Sequence, residues 1–175
     1  KLLVFRSEDA SSPPVFDFPG LKSLPAISRA DFFLPESENQ KDVVAFSLVT
    51  SGRKLDEFIK DKWARGDYAD YFLWHGFGAE LTEALAEYIP FKIRQELGLE
   101  AKKRPDYAAS LRKKYRGRRL SPGYSAFPQL EDQEKILELL NGEKIGVSLT
   151  ETFQLVPELT TTAIILHHPD ASKYF

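Results

Sequence analysis

The sequence predicts an α+β fold: a single domain with a twisted, mostly antiparallel sheet flanked by helices. Three observations carry this expectation. Short apolar, β-branched runs at residues 2–5, 43–49 and 160–167 read as strands. Between them lie stretches with apolar residues at helical spacing. The two kinds follow one another irregularly, without the strict βαβ order a parallel sheet requires. A length of 175 residues suits one domain with a core of its own.

Taken in order, residues 2–5 predict a short strand. Residues 11–25 hold four prolines and a glycine and predict an irregular, anchored loop. The unbroken apolar run 43–49, closed by Thr50-Ser51-Gly52, predicts a central strand covered on both faces. Leu55, Phe58, Ile59 and Trp63 predict a helix ending near Gly66. A second helix is expected from about Ala69 and a third over 79–97, with Leu81, Leu85, Tyr88, Ile89 and Ile93 as its inward stripe. Pro90 lacks a backbone donor, so a kink or break is expected there. Residues 106–116 predict a basic helix and 117–128 a loop. Residues 131–140 predict a helix with Ile136, Leu139 and Leu140 inward, stopped by Asn141-Gly142. Residues 145–149 and 160–167 complete the strands.

Composition narrows the function classes. The chain has no cysteine, which removes disulfides, thiolate metal sites and a cysteine nucleophile. No apolar run approaches the roughly 20 residues of a membrane span, and Arg6, Glu8 and Asp9 interrupt any signal-peptide pattern. A cytoplasmic protein without membrane contact is the expectation. The net charge is −2, yet nine lysines and arginines fall between Lys102 and Arg119 against a single Asp106. This stretch, with Tyr107, Tyr115 and Tyr124 interleaved or close by, suits nucleic-acid binding, docking of an acidic protein, or a solvated helix face.

Several motifs dissolve on inspection. His75-Gly76-Phe77-Gly78 lacks the third glycine of a dinucleotide fingerprint, Leu81 standing in its place, and reads as a loop starting a helix. His167-His168 follow a strand directly, where neighbouring residues point to opposite faces, so they cannot share one metal; a structural or hydrogen-bonding role is expected of them. No serine stands in a nucleophile-elbow context. Glu80, Glu83 and Glu87 recur about one helical turn apart, as on a solvated face. No acid–base constellation and no metal site is expected. The densest signal is residues 118–128. Glycine and proline shape a fixed bend, an arginine offers a planar fork for a carboxylate, and a tyrosine offers a flat face to a heteroaromatic ring. Carboxylate plus ring describes an amino acid joined to a nucleoside; a plain structural loop is the alternative.

That segment resembles the R-x-x-x-G-Y-x-x-x-P signature of the activation domain of cobalamin-dependent methionine synthase, through Arg119, Gly123, Tyr124 and Pro128. Ala30-Asp31-Phe32, the V-T-x-G ending at Gly52, Glu83 to Tyr88, Gly146 to Glu151, Pro157, His168-Pro169 and Lys173-Tyr174-Phe175 resemble further family elements in the same order. The chain differs from the family pattern at Pro90, Ser125 and Phe127. The resemblance implies an S-adenosylmethionine-binding activation domain spanning 1–175, shortened at both ends relative to the family. It implies that Arg119, Gly123, Tyr124, Ala126, Tyr174 and Phe175 bind S-adenosylmethionine, with Glu83 and Glu151 as corrin-facing or supporting residues. The implied reaction reduces cob(II)alamin with one electron from a flavodoxin-like reductase, then transfers the sulfonium methyl to form methylcobalamin. The cobalamin sits on a separate cobalamin-binding domain of the synthase, so the isolated module should not turn over. A stand-alone corrinoid-protein reactivator of the same fold, and a non-catalytic nucleic-acid-binding domain using residues 102–119, are the alternatives.

Overall fold

Seven residues, Thr160–Leu166, form the strand on which the other elements assemble. The structure, a computed structural model, describes residues 2–4, 15–18, 28–35, 37–38, 40, 42–101 and 115–174. Its strands are β1 (Leu2–Leu3), β2 (Val15–Phe16), β3 (Ala45–Thr50), β4 (Arg118–Leu120), β5 (Ser148–Leu149), β6 (Leu155–Val156) and β7 (Thr160–Leu166). Its helices are α1 (Arg53–Ala64), α2 (Tyr68–Glu96), α3 (Asp132–Leu140) and the single turn α4 (Ala171–Tyr174). Short 3-10 turns occupy Arg29–Phe32 and Gly142–Ile145.

Among the described residues every strand pairing is antiparallel. β7 lies between β3 and β4, with Phe46 opposite Ile164 on one side and Leu120 opposite Ile164 on the other. β1 pairs with β2, and β5 with β6, as separate two-stranded ribbons. The sequence assigned the central position to 43–49. The structure gives it to β7, and β3 is a border strand of the three-stranded sheet. The burial explains the exchange: Thr162 through Leu166 are all buried, whereas buried residues alternate along β3. A strand covered on both faces reads as an unbroken buried run.

Strand alternation divides the core. Ile164 and Leu166 face a cluster with Leu120, Phe127, Ile136, Phe16 and Phe18. The rings of Phe18 and Phe127 meet edge to face at 5.4 Å, and Phe16 stacks on Phe46 at 5.3 Å. Phe16 and Phe18 come from the expected loop 11–25, of which residues 15–16 are strand. The opposite face of the sheet is covered by α2. α3 ends at Asn141, in the left-handed conformation expected of the Asn-Gly stop. Ile136 is fully buried and Leu139 partly, but Leu140 turns outward. Ile145, expected in a strand, is exposed at the end of a 3-10 turn.

The long helix differs most from expectation. α2 runs through His75-Gly76-Phe77-Gly78 and through Pro90 without a break. Its buried residues are Gly78, Thr82, Ala86, Pro90, Phe91 and Arg94, a stripe mostly of small side chains at intervals of four. A Cβ on Gly78 would stand 2.5 Å from Leu159 Cδ1 and 3.0 Å from Leu55 Cδ2, so the glycine sits where the helix meets its neighbours most closely. Leu81, Leu85 and Tyr88, expected inward, are exposed with Phe72, Leu73 and Phe77. The helix is therefore apolar on both sides, and residue size, not hydrophobicity, decides which side meets the sheet. Two internal glycines cost about 1 kcal/mol each and a proline about 3; burial of the stripe on the sheet offsets them.

Ile164 is fully buried at the point where β3, β4 and β7 are in register. Ile164→Ala is expected to lower unfolding free energy by about 2–5 kcal/mol, read as a drop in the urea midpoint at unchanged slope.

Candidate functional site

Arg119 stands on a strand, not in the loop the sequence predicted over 117–128. β4 hydrogen-bonds to β7 with Arg119 opposite Ile165. Gly117 admits the chain to this position. Its φ is +90°, and a Cβ there would lie 2.0 Å from the carbonyl oxygen of Leu166, so no larger residue fits. Alternation then sends Leu120 into the aromatic core and Arg119 toward α2.

On α2, Glu83 and Glu87 lie one turn apart and both reach the arginine. Arg119 Nη2 donates a close, charge-assisted hydrogen bond to Glu83 Oε1, and Nε forms an ion pair with Glu87 Oε1 at 3.2 Å. Exposure is graded: the Arg119 side chain is 13% exposed, Glu87 28% and Glu83 58%. The remaining guanidinium nitrogen, Nη1, is buried without a hydrogen-bond partner among the described residues. An unsatisfied donor on a charged group is costly and marks a position where an acceptor belongs. Two members of the row of glutamates expected on a solvated face, Glu83 and Glu87, thus hold the arginine. The signal for Glu87 was its i, i+4 spacing from Glu83.

Beyond β4 the chain makes a tight bend. Gly123 N–H donates to Phe127 O and Phe127 N–H to Tyr124 O, both at 2.8 Å. Gly123 adopts φ +88°, open to glycine and strained for other residues. Phe127 is fully buried and Ala126 packs on the core, which anchors the bend, while Tyr124 at its tip is 71% exposed. Gly123, Tyr124 and Ala126 are thus held together in one rigid turn a few residues from Arg119. Glu151 is exposed in the turn between β5 and β6, and no ion pair joins it to Arg119. Tyr174 ends α4, but its side chain and Phe175 lie outside the described residues, as do residues 102–114, most of the basic stretch.

Two cavities lie elsewhere. One of about 580 Å³ lies between α3 and β5, lined by Glu134, Leu137 and Val147 among others. The other, about 230 Å³, lies between α1 and α2 beside Trp63, Tyr71 and His75. Neither is lined by Arg119, Gly123 or Tyr124. The Arg119 side chain lies between β4 and α2, only 13% exposed.

Behind it lies a second buried group of charges. Arg94, 4% exposed, stacks its guanidinium over the Tyr115 ring at 4.2 Å. Burial, and then the charge of Glu87, push the Tyr115 phenol up. Arg116 Nε donates to the His167 carbonyl at 2.9 Å. His168 behaves as the sequence suggested, its Nδ1 accepting from the Asp170 amide at 3.1 Å. His167 takes the structural role instead: both its ring nitrogens are buried, with no hydrogen-bond partner among the described residues.

The arrangement of sheet, long helix and bend is that of a known class. It superimposes on the MetH reactivation domain bound to AdoHcy with a TM-score of 0.86 over 99% of this chain and 55% of that one, at 26% identity. The class is therefore that of reactivation domains. Residues 20–175 match the family described as vitamin B12 dependent methionine synthase, activation domain, and the chain belongs to that family. Methionine synthase of Mycobacterium tuberculosis is 41% identical over 186 aligned positions, covering 99% of this chain, and that of Mycobacterium leprae 40% over 177, covering 95%. The chain spans 16% and 15% of the lengths of these relatives.

His167 supplies a pH test. Burial, followed by the nearby charge of Arg94, holds its imidazole below the ordinary 6.5. The unfolded chain takes up this proton near 6.5, the folded chain only at lower pH. Between those points the unfolded state binds more protons, so stability falls as pH drops through the window. His167→Gln is expected to flatten this part of the curve, measured as the urea midpoint from about pH 7.5 to about pH 5.5.

Proposed function

We propose that the chain binds S-adenosylmethionine and supports reductive remethylation of cob(II)alamin to methylcobalamin, reactivating a cobalamin-dependent methionine synthase. The observation that carries this reading is the match, over nearly the whole chain, to a reactivation domain bound to AdoHcy. AdoHcy is the same nucleoside amino acid without its sulfonium methyl. The site residues fit such a ligand. Arg119 keeps one buried nitrogen without a hydrogen-bond partner among the described residues, a donor suited to the amino-acid carboxylate. Tyr124, exposed at the tip of an anchored bend, offers a ring face, and Gly123 and Ala126 bring backbone close beside it. Tyr174 and Phe175 are assigned to close the ligand from the chain end, and Glu83 and Glu151 to supporting positions.

When bound, S-adenosylmethionine supplies a methyl group already activated on a sulfonium, so the protein has no proton to move. The work left to these residues is alignment and exclusion of water. The guanidinium fixes the amino-acid end, the Gly123–Phe127 bend fixes the nucleoside end, and the methyl is left facing outward. Cobalamin arrives on a separate cobalamin-binding domain, so the isolated chain is expected to bind ligand without turnover. On this reading the basic residues 102–119 receive an acidic flavodoxin-like reductase, not nucleic acid. The protein is placed in the cytoplasm, a reducing compartment suited to a chain without cysteine.

Calorimetric titration with S-adenosylmethionine is expected to show one site, and Arg119→Ala to weaken it by about 1.5–3 kcal/mol, the weight of a charged hydrogen bond. Equal affinity in the variant contradicts the assignment. Reversing several charges within 102–119 is expected to slow reductase-dependent reactivation of the full synthase and reduce its salt dependence; an unchanged rate and salt response rejects the docking surface.

A further inference from the structure

We infer that Glu87 is the positioning residue of the site: its carboxylate, more than that of Glu83, fixes the Arg119 guanidinium so that Nη1 is presented to the ligand. The inference rests on the reading of Arg119 as a ligand-binding residue.

The two glutamates are not equivalent. Glu83 meets the outer nitrogen Nη2 by a close hydrogen bond but is 58% exposed, so the electrostatic part of its pairing is screened by solvent. Glu87 meets Nε at 3.2 Å from a position only 28% exposed, where the attraction is screened less. The nitrogens also differ. Nε is the point at which the planar fork joins its aliphatic stem, so a carboxylate held there fixes both the plane and the direction of the fork. A carboxylate on Nη2 alone leaves the stem free to swing.

The backbone under Glu87 cannot easily follow the arginine. Ala86, directly before it, is 1% exposed, and Pro90, less than one turn on, is fully buried. Both belong to the stripe that seats α2 on the sheet. Arg119 is equally constrained, held in register against Ile165 of the central strand. The Glu87–Arg119 pair therefore joins two fixed points, while Glu83 reaches the same group from the solvent side. Tyr115 lies within the electrostatic reach of Glu87 and is capped by Arg94, which closes the inner side.

Two measurements test this on the full 175-residue chain. The first needs no ligand. In nitrogen-15 NMR of the arginine side chains, the Arg119 Nε–H is expected to exchange slowly with solvent in the wild type and in Glu83→Gln, and fast in Glu87→Gln. The second is calorimetry with S-adenosylmethionine. Glu87→Gln is expected to weaken binding about tenfold or more, with Glu87→Asp recovering part of the loss. In an Arg119→Ala background Glu87→Gln should add nothing, because the glutamate acts through the arginine. A general structural defect would instead add its cost in both backgrounds. The inference is overturned if Arg119 Nε–H exchange is unchanged in Glu87→Gln, if Glu83→Gln accelerates it equally, or if the two losses of affinity are additive. Absence of S-adenosylmethionine binding by the wild type would instead reject the ligand assignment, leaving the exchange measurement to decide the role of Glu87.

Discussion

The double pairing of β7 is the constraint from which the rest of the domain follows. A strand bonded on both edges and covered on both faces has no freedom of register, because a slip of one residue would exchange the aromatic face for the α2 face. Fixing that register places Leu120 beside Ile164, and with it places Arg119 under α2. The same strand sets the level at which α2 lies. The ion pairs between helix and strand are therefore consequences of sheet geometry, and their own modest energy is not what brings the elements together.

Much of this architecture was legible in the sequence, and the failures have a common cause. α1, the end of α3 and the β7 strand follow from apolar periodicity and an Asn-Gly stop, all local signals. The antiparallel α+β class followed from element order. What went wrong depended on tertiary contact. Gly76, Gly78 and Pro90 each weaken a helix locally, and three such signals argued for breaks in what is one rod. Only the presence of a sheet beneath reveals that small residues are an advantage there. The same blindness reversed the helix: the large apolar residues looked inward by hydropathy, while Thr82 and Ala86 are the ones that are buried.

The site was legible in part. The dense run 118–128 drew attention through its glycine, proline, arginine and tyrosine, and its family resemblance agrees with the family match. Its internal form was not readable. Nothing in the local sequence says that Arg118–Leu120 is a strand, because that depends on a partner more than forty residues further on. The glutamates were visible as a spaced row, but a helix face carrying carboxylates is ordinary until an arginine is known to lie beneath it. His167 read as a structural or hydrogen-bonding histidine, and packing alone decides between the two: its ring nitrogens are buried without hydrogen-bond partners among the described residues.

The stripe Gly78, Thr82, Ala86 and Pro90 has one further consequence. It acts as a shim of fixed thickness between a rigid rod and a rigid floor. Enlarging one member, as in Ala86→Leu, would raise the rod along its length, since close-packed interiors yield little to added volume. The gap across which Glu87 meets Arg119 would widen with it. Residues that bear no charge and touch no ligand thereby set the electrostatics of the arginine, and the tolerance of this protein to change is narrowest where its side chains are smallest.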